Sequence, residues 1–128
     1  MNYSVTEIDA YLQSVKALIK CDKYRIDTNS KRSANKDLFL KYVIDEALAK
    51  DILLSLTPYD FSEVRHNSHV GYEHELLYIF GKDVELWERF RDNPKIVSLY
   101  LKFNKLDDKL LIVISFHEQE YPIRYYFK

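Results

Sequence analysis

The chain has 128 residues, 47% of them hydrophobic and 15% aromatic, which suits a single domain over 1–128 with a sizeable core. No run approaches the roughly 20 apolar residues of a bilayer span, and the polar start MNYSVTEIDA lacks the basic and apolar regions of a leader; no membrane partner and a cytoplasmic location are expected. A net charge of -1 argues against a general nucleic-acid binder, and the lone Cys21, with no CxxC partner, excludes a disulfide scaffold or zinc knuckle and predicts a buried structural thiol.

Ser4-x-x-Glu7 has the form of a capping box, and Val5, Ile8, Leu12, Val15, Leu18 and Ile19 recur at helical spacing, predicting an amphipathic helix from Val5 to Cys21. The stretch Cys21 to Asn35 reads as a basic loop with a short extended piece at Tyr24 to Ile26. Around it Lys16, Lys20, Lys23, Arg25, Lys31, Arg32 and Lys36 outweigh Asp22 and Asp27. Such a local excess attracts phosphate, with Lys31 and Arg32 as candidate RNA contacts; an ordinary solvated face is the alternative. Helical patterning returns over Asn35 to Tyr42 and Asp45 to Leu54, where Ala47, Leu48, Ile52 and Leu56 can face a core. Pro58 ends this region, because the residue before a proline is pushed out of the helical basin.

Strands are predicted at Phe61 to His66 and Glu75 to Phe80, on either side of a polar loop. Asp83 can cap a helix carrying Val84, Trp87 and Phe90 and ending before Pro94. Two alternating runs, IVSLYLKF and KLLIVISFH, then flank Asp107-Asp108 and predict a β-hairpin, and Tyr121 to Phe127 reads as a last strand. The sum is an α+β fold, N-terminal helices packed on one face of a C-terminal antiparallel β-sheet.

The hairpin carries the chemistry. In strands, side chains alternate between faces, so Val97, Leu99, Leu101 and Phe103 oppose Ser98, Tyr100 and Lys102. The second run divides into Leu110, Ile112, Ile114 and Phe116 against Leu111, Val113, Ser115 and His117. Burying the two apolar rows together brings Tyr100, Lys102, Ser115 and His117 onto one face. A two-residue loop sets Tyr100 opposite Ser115, with His117 a diagonal neighbour, whereas a four-residue loop keeps the faces and lengthens that distance. A tight turn at Gln119-Glu120 adds Arg124 and Tyr126 to that face and sends Ile123, Tyr125 and Phe127 to the buried side.

A group of His, Tyr, Lys and Arg without paired carboxylates suits metal-independent cleavage of RNA. The substrate brings its own nucleophile, the 2′-hydroxyl, and the protein need supply only a base, an acid and cations around the phosphorane-like transition state. His117 can exchange a proton near neutral pH, Lys102 and Arg124 can neutralise charge, and Tyr100 can orient phosphate or stack on a base. No cofactor is called for. His66, His69 and His74 lack the spacing of a metal site, Cys21 lacks an adjacent base, and with Gly71 and Gly81 as the only glycines there is no phosphate-binding loop.

The segments SVKALI at Ser14 to Ile19, LTPYDF at Leu56 to Phe61, LYLKF at Leu99 to Phe103 and VISFHE at Val113 to Glu118 occur in an order that resembles the MqsR-type toxins of bacterial type II toxin-antitoxin systems. That resemblance implies a RelE-like fold, mRNA endoribonuclease activity and a cognate antitoxin partner. It implies an active-site tyrosine at Tyr100 and a catalytic role at His117, where the family pattern has lysine. A second family lysine, two residues after Asp-Phe, is replaced here by Glu63, leaving Glu63 as a base or Arg65 or His66 as the substitute cation; strand parity, which puts Glu63 and Arg65 on one face, favours Arg65 over His66. A non-catalytic binding module of the same fold is the alternative.

Overall fold

The computed structural model describes residues 2–128. It is an α+β structure with three α-helices and one open five-stranded sheet. Helix α1 (Val5–Lys20) begins at the predicted capping box, with Ser4 Oγ accepting from Glu7 N at 3.1 Å and Glu7 returning the bond to Ser4 N at 3.2 Å. Its stripe of Ile8, Leu12, Val15, Leu18 and Ile19 is buried. Cys21 is exposed, not a buried thiol: it is the C-cap, one step beyond the apolar stripe, and the left-handed Asp22 (φ 59°) turns the chain away.

The extended piece at Tyr24 to Ile26 is strand β1 (Tyr24–Ile26), and a 3-10 turn (Ser30–Arg32) leads into α2 (Ser33–Lys41). Helix α3 (Glu46–Leu54) is capped by Asp45, which accepts from Leu48 N at 2.8 Å. Ala49, Ile52 and Leu53 form its buried side, whereas Ala47 points outward. After a 3-10 turn at Pro58–Asp60 come β2 (Phe61–His66), β3 (Leu76–Trp87), β4 (Pro94–Leu106) and β5 (Leu110–Glu118).

The strand order is β1-β5-β4-β3-β2, and β1 runs parallel to β5, so the sheet is mixed, not antiparallel throughout. The crossover from β1 through α2, α3 and the other strands allows the chain to return in that sense. No helix forms at Asp83 to Phe90. Val84 and Trp87 satisfy a helical spacing, but Val84 and Leu86 also alternate with exposed Glu85 and Trp87, and β4 pairs with every residue from Leu77 to Trp87. The long partner strand therefore decides the conformation. Phe90 lies in the following turn, fully exposed at φ 69°.

On the core side, Phe80, Leu99, Leu101, Phe103, Leu111, Val113 and Phe116 join the buried residues of the helices in one hydrophobic cluster. The opposite face of β2 to β5 is open over the site. No strand forms over Tyr121 to Phe127. Those residues run as an irregular strap whose ends are tied down: Gln119 Nε2 donates to Leu99 O at 3.0 Å, Ser62 Oγ donates to Arg124 O at 2.7 Å, and Tyr126 N donates to Phe61 O at 2.9 Å. Ile123 and Tyr125 pack over Gly81 on the open face instead of entering the buried side, while Phe127 does pack against the core cluster.

Candidate active site

Two irregularities in the strands decide what the open face contains. The β4–β5 turn has three residues, Asp107 to Lys109, with Asp107 at φ 52°, and it sets Phe103 opposite Val113. Strict continuation would place Phe116 opposite Tyr100. The register instead shifts between Lys102 and Phe103, skipping Ile114, so that Lys102 faces Ser115 and Tyr100 faces His117. The expected diagonal pair is thus a direct one. The same bulge reverses the facing expected for the first half of β5, where Leu111 and Val113 enter the core in place of Leu110 and Ile112. In β2 a second bulge skips Ser62, leaving Phe61 in the core and turning Glu63 and Arg65 to the open face.

The result is a cavity of about 520 Å³. Glu63 and Arg65 come from β2, Tyr100 and Lys102 from β4, Ser115 and His117 from β5, Arg32 from the 3-10 turn, and Tyr121 to Arg124 from the strap, with Ile79 on β3 also in the lining. The six residues expected at a catalytic centre, His117, Tyr100, Lys102, Arg124, Arg65 and Glu63, all line it. Of the two expected RNA contacts, Arg32 joins them; Lys31 is exposed and lies outside the lining.

The Tyr100 and His117 rings stack at 5.2 Å between centroids and 13° between planes. His117 Nδ1 sits 2.7 Å from the carbonyl oxygen of Glu118. A carbonyl only accepts, so Nδ1 carries the proton and the lone pair of the neutral ring is on Nε2. Burial, and then the charges of Arg32 and Arg65, hold the Lys102 ammonium below its ordinary pKa. Burial pushes the Tyr100 phenol up, with Arg65 opposing and Glu63 adding to the shift. Arg65 donates its Nε hydrogen to Glu63, which raises the guanidinium further. Glu63 therefore screens the cation that stands nearest to it.

Sequence reasoning missed Ser62, Gln119, Ile123 and Gly81. The glycine carried a signal, since glycine inside a strand marks a close backbone approach. A Cβ built there would lie 2.1 Å from Ile123 Cδ1. Of the three histidines outside the site, His66 Nδ1 lies 3.0 Å from Glu73 O, and among the described residues no three His, Cys, Asp or Glu side chains form a ligand set for a metal ion. No family model, curated protein or solved structure matches the chain.

Proposed function

We propose that this protein is a metal-independent endoribonuclease of the MqsR-toxin type, with a RelE-like fold, acting on mRNA. The observation that carries the reading is the meeting of a stacked His117–Tyr100 pair with Lys102, Arg32, Arg65 and Arg124 in one open cavity. In this reading His117 Nε2 takes the proton of the 2′-hydroxyl while Nδ1 stays bonded to Glu118 O. The 2′-oxygen forms a bond to phosphorus, and the bond from phosphorus to the 5′-oxygen breaks. Lys102, whose depressed pKa makes it a better acid than a free lysine, delivers a proton to the leaving 5′-oxygen. The arginines stabilise the charge that accumulates on the phosphoryl oxygens, and Tyr100 orients the phosphate while holding the imidazole by stacking. The products are a 2′,3′-cyclic phosphate and a 5′-hydroxyl end. The family resemblance adds a cognate antitoxin to the proposal, and the cytoplasmic setting expected from the sequence goes with it.

A second reading, a non-catalytic module that binds RNA or protein, is favoured by one contact: the Glu63–Arg65 pair neutralises a cation of the cavity. One experiment separates the two. Purified wild type, His117→Ala and Tyr100→Phe are incubated with RNA in EDTA and the product ends are identified. Cyclic phosphate ends formed by wild type, and reduced about 10²-fold or more by His117→Ala, support the nuclease. Uncut RNA with the folded wild type supports the binding module, and cleavage that needs a divalent metal refutes the mechanism.

A further inference from the structure

We propose that Asn35 is a positioning residue for this site: it clamps the bulged backbone of β5 and thereby sets the face on which His117 emerges. The catalytic consequence rests on the nuclease reading; the structural one does not.

The register entering β5 pairs Phe103 with Val113. Carried on without interruption, it would bring His117 opposite Leu99, whose side chain belongs to the core. The skipped Ile114 prevents this, and the observed pairs become Leu101 with Phe116 and Tyr100 with His117. A bulge disrupts the ladder, and buried backbone groups there need another partner. Asn35 supplies it. The residue is 1% exposed on α2, its Nδ2 donates to Ile114 O at 2.9 Å, and its Oδ1 accepts from Phe116 N at 2.8 Å.

One amide side chain thus spans the bulge from the skipped residue to the residue just before His117. Its second Nδ2 hydrogen goes to Asp27 O at 2.7 Å, at the end of β1, so the clamp is also tied to the neighbouring strand. The residue type follows from the task. Two donors and an acceptor in one short plane are what Asn provides; Asp lacks the donors and Leu lacks both. The rest of α2 is seated accordingly, with Phe39 stacked on Phe116 at 5.6 Å and 19°.

The test uses the full chain and the near-isosteric Asn35→Leu. In wild type, NMR cross-peaks are expected between the Tyr100 and His117 rings, whose centroids lie 5.2 Å apart. In the variant the core methyl spectrum is expected to persist while those cross-peaks vanish and the Ser115 and Phe116 amides exchange about tenfold faster or more. On a fluorogenic RNA oligonucleotide, kcat should fall about tenfold or more with KM changed by less than about threefold, the split expected when a reacting group is misplaced and not when binding is lost. A folded variant with its ring cross-peaks intact and kcat within about twofold overturns the proposal.

If Asn35→Leu does not fold, wild type alone still decides. The side-chain amide protons of Asn35 should exchange as slowly as those of core backbone amides, and exchange at the rate of an exposed asparagine overturns the clamp. Loss of the ring cross-peaks in the variant together with an inactive wild type supports the positioning role and refutes the nuclease reading.

Discussion

Replacing Gly81 by alanine tests whether the C-terminal strap is a built wall of the cavity. The glycine backbone is not left-handed, so conformational strain does not enter. The effect comes from space. A Cβ at this position would lie 2.1 Å from Ile123 Cδ1, 2.9 Å from Tyr125 Oη and 3.0 Å from Gln119 Nε2. Carbon atoms in contact sit about 3.5 to 4.0 Å apart, so Ile123 must retreat by roughly 1.5 Å. Overpacking of this kind costs about 1 to 3 kcal/mol.

Ile123→Ala removes the clashing atom at the cost of its own packing, about 1 kcal/mol for a half-buried side chain. Each single variant is therefore expected to be less stable than wild type, and the double variant to recover about 1 kcal/mol or more relative to the sum. Urea denaturation of the four proteins measures that coupling. Cleavage should follow the same cycle, because Arg124 is carried on the strap next to Ile123 and its carbonyl is anchored by Ser62. Stabilities that add to within about 0.5 kcal/mol would refute the packing of Ile123 over Gly81.

Two further outcomes follow from polar groups that are half-buried or buried. Lys102→Met should raise stability and lower cleavage by about 10²-fold. The wild-type ammonium, with its folded pKa depressed below 10.5, is a cost at neutral pH that is relieved as pH rises through the folded value, so the stability gap between the proteins should close toward pH 10.5. A gap that widens with pH would contradict this sign. Tyr11→Phe should stabilise by about 1 kcal/mol, since the buried Tyr11 hydroxyl has no partner among the described residues while its ring stacks on Tyr78 at 3.6 Å between centroids. Thermal unfolding should show a rise of about 3 to 5 °C, and a fall would mean that the hydroxyl is satisfied in solution.

Local chemistry sufficed for the elements whose signals lie close together in the chain. The Ser4 and Glu7 cap, the stripe of α1, the Pro58 boundary and the hairpin from Ile96 to His117 were all legible, because capping, helical spacing and alternation act over a few residues. The polar membership of Tyr100, Lys102, Ser115 and His117 was legible for the same reason. Their register was not. It depends on the skipped Ile114, whose carbonyl is held by Asn35, distant in sequence, and no alternation pattern announces such a bond. The stretch Asp83 to Phe90 shows the same limit, since a helical spacing gave way to five cross-strand pairs with β4, from Asp83 to Trp87. Composition thus determined which chemical groups this protein can bring to an open sheet face, through forces of short range. Tertiary structure decided that Tyr100 and His117 stand directly opposite one another, because burial of Phe116 and satisfaction of the bulge backbone are met together only when α2 packs against β5.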